Sequence, residues 1–197
     1  MAHVGTLYAR RNLSLVCVAL RSLLNDRPEA GATLKLNIAG PMETPHRVQM
    51  QEDIDAAGLA SMVNFHGVLP RAQALELLNR SHLALVLAQH QPMQVPAKLY
   101  ECVGLGIPTL VIAEPTSAAA SEALRIGAKT VDGSDENALR AVLEDLLDNR
   151  IPTTIAALAP VSYEGLAIRM DHLLREAMER RNAGTMRETH TPALRQG

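Results

Sequence analysis

Lys98 and Glu101 stand three residues apart in the stretch Pro96-Ala97-Lys98-Leu99-Tyr100-Glu101. Proline suits the first turn of a helix, where its missing N–H has no partner to lose. On a helix opened there, residues three apart share a face. The free N–H groups and dipole of a helix start favour anions. A lysine at that start can bind phosphate, and a carboxylate one turn deeper can accept hydrogen bonds from both hydroxyls of a ribose. Together they point to a nucleotide. The plainer reading is a helix-surface ion pair, which is worth little energetically.

The stretch lies between two apolar runs, 83–88 and 109–112, each short enough to be a buried strand. Upstream, 3–8 opens as a first strand that Gly5 ends. A helix opening at residues 9–12, with Arg10 and Arg11 in its first turn, puts Leu13, Val16, Cys17, Leu20 and Leu24 on one stripe. Pro28 and Gly31 stop it. Residues 33–39 alternate as a second strand ending at Gly40, and 62–65 form a third running into Gly67. Helices follow over 45–57 and 71–80. Beyond the central stretch come an Ala/Ser-rich segment (116–124), an edge strand (128–131) and a helix over 135–147 with an acidic first turn.

Six short strands alternating with helices predict an α/β fold, a doubly wound, Rossmann-like parallel sheet with helices on both faces. Ligands of such sheets bind at the C-terminal ends of the strands. Those ends are Gly5, Gly40, Gly67 and the loop 89–95. Each glycine is either a tight turn or a place where a ligand meets the backbone. No fixed-period repeat is visible. Pro152 and Pro160 break the chain before a last amphipathic helix over 164–181, with Leu166, Met170, Leu173, Leu174, Ala177 and Met178 on one side. The organisation is therefore one domain over 1–150, a linker and helix over 151–183, and a tail over 184–197 expected to be disordered.

Composition narrows the function classes. One Phe, three Tyr and no Trp suit an aliphatic α/β core better than a sandwich. A net charge of −2 disfavours nucleic acid. Cys17 and Cys102 sit in apolar helical patterns, as buried free thiols of a reducing compartment would. No apolar run approaches ~18 residues and no signal-peptide core stands at the N-terminus, so a cytoplasmic protein is expected. His3, His66 and His82 lack metal-ligand spacing with Asp, Glu or Cys, and no metal or other cofactor is expected. No GxGxxG follows the first strand, which disfavours an NAD-type site.

The succession Val4-Gly5-Thr6-Leu7, Arg11-Asn12-Leu13, Ile38-Ala39-Gly40, Val63-Asn64-Phe65-His66-Gly67 and 96–101 with Gly106-Ile107-Pro108 resembles the C-terminal domain of two-domain GT-B retaining glycosyltransferases. It is most similar to bacterial family-four enzymes of surface polysaccharide biosynthesis. The likeness covers about 4–147 and is most specific over 96–108. It implies a domain that binds a nucleotide-sugar donor and serves transfer of a hexose to a glycan or lipid-linked acceptor.

By that resemblance Glu101 holds the ribose, Arg11 and Lys98 stabilise the departing diphosphate, and Gly5 and Thr6 face it. The main chain at Val68 and Leu69 lies beside the base. The loop carrying His90, Gln91, Met93, Gln94 and Val95 meets the diphosphate and donor sugar. His90 also fits an ordinary exposed loop histidine, and Arg71 fits either a place beside the base or one in water. Two positions depart from the family pattern: Met93 stands where many members have a second glutamate, and Thr6 where many have arginine. The resemblance also implies a missing N-terminal acceptor domain, so that this chain is expected to be an excised half that binds donor without catalysing transfer. It further implies peripheral membrane association of the full enzyme. The apolar stripe of the last helix, left without its domain partner, is an expected homodimer surface. Two other classes fit the residues less well: a sugar-nucleotide epimerase, and a non-catalytic doubly wound interaction module.

Overall fold

The computed structural model describes residues 1–8, 10–151 and 162–188. The strands are β1 (Ala2–Val4), β2 (Leu36–Ala39), β3 (Val63–Gly67), β4 (Ala84–Leu87), β5 (Thr109–Ile112) and β6 (Lys129–Val131). They form one parallel sheet in the order β3-β2-β1-β4-β5-β6. This is the expected doubly wound, Rossmann-like arrangement. Parallel strands need crossovers, and the sequence supplies helices for them: α1 (Ser14–Asp26), the single turn α2 (Ala30–Thr33), α3 (Thr44–Ala56), α4 (Arg71–Asn79), α5 (Ala97–Gly104), α6 (Ala118–Arg125) and α7 (Glu136–Leu147).

The period-2 alternation of the strands divides the core. Leu36, Ile38, Leu85, Leu87, Leu110 and Ile112 join one apolar cluster with Val16 and Leu20 of α1, Ile54 of α3 and Leu139 and Leu143 of α7. Leu78, Leu99, Val103 and Ala123, from α4, α5 and α6, are buried outside that cluster. Strands covered on both sides lose their polar alternation, which is why β4 and β5 are buried at every position and carry one polar residue, Thr109, between them. Cys17 and Cys102 are free and buried. Burial, with the Asp53 charge, pushes the Cys17 thiol up to about 11. Burial pushes Cys102 up to about 12, Lys98 opposing and Glu101 adding to it. Neither is a ready nucleophile.

Of the expectations for these first elements one is corrected. The first strand ends at Val4, just before the glycine expected to end it, but α1 begins at Ser14, several residues after the expected start. Between them Leu7, Tyr8, Arg11 and Asn12 are pinned by hydrogen bonds outside any helix. Leu7 N–H donates to Pro41 O (3.0 Å), and Tyr8 and Arg11 exchange backbone hydrogen bonds of 3.1 and 2.7 Å. Asn12 Oδ1 accepts from Ser14 N–H (3.1 Å), the local bond by which asparagine competes with helix. Arg11 therefore sits on a turn, and not on the helix.

The chain divides into a unit Met1–Ala156 and a unit Ala157–Gly197. The second holds α8 (Tyr163–Glu188), which continues past Gly184 and so overruns the tail expected from there. A helix-interior glycine costs only about 1 kcal/mol, and no proline intervenes before the helix ends. Asp171–Arg175 and Glu176–Arg180 pairs at i,i+4 support it. Leu166, Met170, Leu173, Leu174 and Met178 are exposed on α8. The prolines at 152 and 160 and the tail from 189 lie outside the described residues. No helix among those residues is long and apolar enough to cross a membrane.

Candidate functional site

The strand order reverses between β1 and β4: from β1 the chain winds outward through β2 and β3, and from β4 through β5 and β6. Such a reversal opens a crevice at the C-terminal ends of the two central strands. The loop after β1 brings Gly5, Thr6 and Arg11 to it. The segment after β4 brings residues 89–98.

Two cavities line the crevice. One, of about 320 Å³, is walled by Val4, Gly5, Thr6, Gly40, Val68, Leu69, Arg71 and Lys98 among others. The second, of about 230 Å³, is walled by His3, Gly5, Arg11, Gln94, Pro96, Ala97 and Lys98 among others. Gly5 and Lys98 border both. A larger groove of about 470 Å³ runs between β3 and α4 past Asn37, His66, Gln73 and Arg80. It touches none of the proposed phosphate-binding residues.

Close packing of backbone shapes the first cavity. Gly40 has φ +132°, and a Cβ there would lie 2.1 Å from the Gly5 carbonyl oxygen. Only glycine fits. Gly5 itself needs no unusual φ. A Cβ on it would stand 3.2 Å from His3 Nε2, so tight packing on that imidazole is what its lack of a side chain serves.

On the β4 side, Leu99, Cys102 and Val103 bury one face of α5, and Tyr100 Oη donates to Glu122 of α6 (2.8 Å). That fixes the opposite face at the crevice. Lys98 Nζ donates to Glu101 Oε2, and Arg71 Nη1 stands 3.1 Å from Glu101 Oε1. Burial by itself would raise the Glu101 carboxyl. The hydrogen bond from Lys98, with the charges of Lys98 and Arg71, overrides it and holds the group below its ordinary value. Lys98 and Glu101 thus meet as an ion pair, and the carboxylate is ionised and aligned. Its two oxygens keep lone pairs that a diol could share.

On the β1 side, Arg11 Nη2 donates to Gln91 Oε1, and Gln91 Nε2 donates to Tyr8 Oη. The guanidinium lies 5.5 Å from the Tyr8 ring centroid. Its Nε is buried without a partner. This cluster ties the turn after β1 to the loop after β4. Gln91 therefore holds Arg11, while Gln94 lines the second cavity. Met93 is 88% exposed. His90 sits at φ +57° with its N–H on Glu114 Oε1 (2.7 Å) and its Nδ1 3.6 Å from the same oxygen. Its imidazole is directed to that carboxylate. Val95 is half-buried beside Pro96, and Val68 and Leu69 form the outer wall of the first cavity.

Three contributors escaped sequence reasoning. Arg71 had a signal, its place after Pro70 at a helix start, but its partner Glu101 lies thirty positions on. Tyr8 carries no local signal, since its partner Gln91 lies eighty-three positions on. His3 is 3% exposed at the base of the second cavity, and nothing in its neighbours in sequence marks it. Among the described residues no group of three or more His, Cys, Asp or Glu could hold a metal ion.

The family model for "Glycosyl transferases group 1" matches residues 1–165. The chain belongs to that family. A search of curated proteins finds no significant match. Among solved structures, this chain is similar to Anabaena Alr3699/HepE in complex with UDP, with a TM-score of 0.69 at 14% identity over 90% of this chain and 48% of that one. It is similar to α,α-trehalose 6-phosphate synthase from Burkholderia multivorans, at 0.68 and 14%, over 93% and 43%. It is also similar to WaaG, a glycosyltransferase involved in lipopolysaccharide biosynthesis, at 0.58 and 17%, over 75% and 38%. At these identities the likeness is one of fold, that of GT-B glycosyltransferases. The chain spans less than half the length of each of these proteins.

Proposed function

We propose that the chain is the nucleotide-sugar donor-binding half of a retaining glycosyltransferase that passes a hexose to a glycan or lipid-linked acceptor in surface polysaccharide biosynthesis. The observation that carries this reading is the convergence of Gly5, Arg11, Lys98 and Glu101 on the crevice between β1 and β4. The diphosphate lies over Gly5 and Thr6 between Arg11 and Lys98. Their charges stabilise it as the glycosidic bond to phosphate breaks, so no metal or cofactor is needed for that step. Glu101 accepts from the ribose, and the base lies along Val68 and Leu69. HepE, with the same fold, is seen with UDP, which supports a uridine donor.

An acceptor domain supplies the other wall of the cleft. Holding both reactants in geometry is worth up to ~7–11 kcal/mol, so this chain by itself binds donor and transfers nothing. The full enzyme works in the cytoplasm against a membrane-bound acceptor. The exposed apolar residues of α8 pair two copies where that domain is absent.

Thermal shift against UDP, GDP, ADP and TDP tests the reading, because a ligand bound only by the folded state raises apparent stability. One diphosphate is expected to raise the melting temperature. Glu101→Gln should weaken it about tenfold, the scale of a charge-assisted hydrogen bond. No shift at millimolar concentration of any of the four would favour an interaction module. With radiolabelled donor, transfer by this chain alone would refute the two-domain requirement.

A further inference from the structure

Among the described residues the buried polar side chains are His3, Gln89, Thr109 and Ser117, and of these only His3 has an ionisable side chain. Its Nδ1 lies 3.0 Å from the Leu85 carbonyl. A carbonyl only accepts, so Nδ1 carries the hydrogen and Nε2 presents a lone pair. That Nε2 is buried with no partner. It sits against Gly5, and His3 is one of the residues that line the cavity together with Arg11 and Lys98. A buried orphan acceptor at the edge of a doubly cationic pocket calls for an explanation.

We propose that His3 is a proton-coupled ligand for the diphosphate: as the anion settles over Gly5, the imidazole takes a proton from solvent at Nε2 and directs that N–H at a phosphate oxygen. This rests on the donor-binding reading above and adds a residue and a pH dependence to it.

The chemistry of the two states supports the coupling. Phosphate oxygens only accept, so an unprotonated Nε2 faces them lone pair to lone pair, whereas a protonated one donates a charge-assisted bond. In the empty site burial is the main force against the proton. The hydrogen bond to Leu85 opposes that, and Arg11 and then Lys98 add repulsion, leaving the imidazole titrating at about 4. The strands on either side set Ile38 and Leu85 opposite His3, neither of them titratable. The charges that face His3 are thus Arg11, from the turn after β1, and Lys98, from the start of α5. Both are the groups a diphosphate neutralises. Binding therefore removes the repulsion and adds an attraction. The anion's hydrogen bond then fills the vacancy at Nε2.

The experiment uses the whole chain with UDP, and with inorganic pyrophosphate as a probe without base or ribose. ¹⁵N NMR of the His3 ring reads its protonation directly at pH 7 in wild type, with and without ligand. Calorimetry in buffers of different ionisation enthalpy reads proton uptake. His3→Gln, checked for folding by its melting curve, subtracts any proton that UDP itself exchanges. The expected result is an Nδ1-protonated neutral ring when empty and a doubly protonated ring when bound. UDP affinity should rise by roughly threefold to tenfold per unit from pH 8 to pH 7 in wild type and less steeply in His3→Gln. Binding of either ligand with His3 still neutral overturns this inference and leaves the donor reading standing. Binding of neither overturns both.

Discussion

The two walls of the crevice are built differently. The α5 wall is local: Lys98 and Glu101 are three residues apart on one helix turn, and both are partly exposed. The β1 wall is assembled across the chain: Arg11 reaches Gln91 eighty positions on, His3 reaches Leu85 eighty-two positions on, and Gly5 packs on Gly40. The first wall is a short-range geometry that forms wherever the helix forms. The second exists only when β1, β2 and β4 are in register. Damage to the α5 wall should therefore cost affinity, and damage to the β1 wall should cost affinity and fold together.

The largest expected effect is at Gly40. Alanine there would set Cβ against the Gly5 carbonyl oxygen and demand a φ that side chains rarely adopt. Gly40→Ala should cost roughly 3 kcal/mol or more. Urea unfolding measures it, and a loss below 1 kcal/mol would mean that the two loops separate freely. Next comes acid. A neutral His3 in the fold, titrating at about 4 against an unfolded value near 6.5, leaves the unfolded chain binding more protons between those values. Stability should fall as pH drops from about 6.5 to 4, by roughly 3 kcal/mol at ~1.4 per unit. Below that range this loss is complete. His3→Gln should flatten that slope, and an unchanged slope would place the acid-sensitive group elsewhere.

The third prediction compares the walls directly. Arg11→Ala and Lys98→Ala should each weaken UDP about tenfold or more and leave uridine nearly untouched, since only the charge is lost. Lys98→Ala should barely move the melting temperature, because Glu101 keeps Arg71 and such partly exposed pairs contribute little. Arg11→Ala should lower it. Equal melting temperatures would erase the distinction between the two walls.

The same distinction decides what the sequence revealed. The alternation of short strands and helices was legible because both periods are local, and strand 109–112 was read to its ends. The turn of Lys98 and Glu101 was legible because i,i+3 is a helix spacing. The start of α1 was misread by several residues. There the apolar stripe from Leu13 onward extended naturally back over Arg10 and Arg11, while the bonds that forbid helix come from Pro41 and from Asn12's own side chain. His3 looked like an unremarkable strand residue for a related reason. Its burial under Gly5 follows from β1 lying between β2 and β4, and nothing within ten residues encodes that placement.

The smallest effect is expected at Gln91, where the β1 wall is joined to the loop after β4. Gln91 accepts from Arg11 and donates to Tyr8, so Gln91→Ala removes two hydrogen bonds at once. All three residues are half-buried, so water can replace the lost amide. The cost should stay near the low end of roughly 0.5–1.5 kcal/mol in stability. Its consequence for binding is indirect: the guanidinium is freed from its anchor while its charge remains. UDP affinity should fall less than in Arg11→Ala, and the double variant should be no worse than Arg11→Ala alone, because the amide has nothing left to position. Calorimetry on the four proteins of that cycle measures the coupling. Additive losses would show that Gln91 meets the ligand by itself, and the seam between the walls would then be part of the donor site.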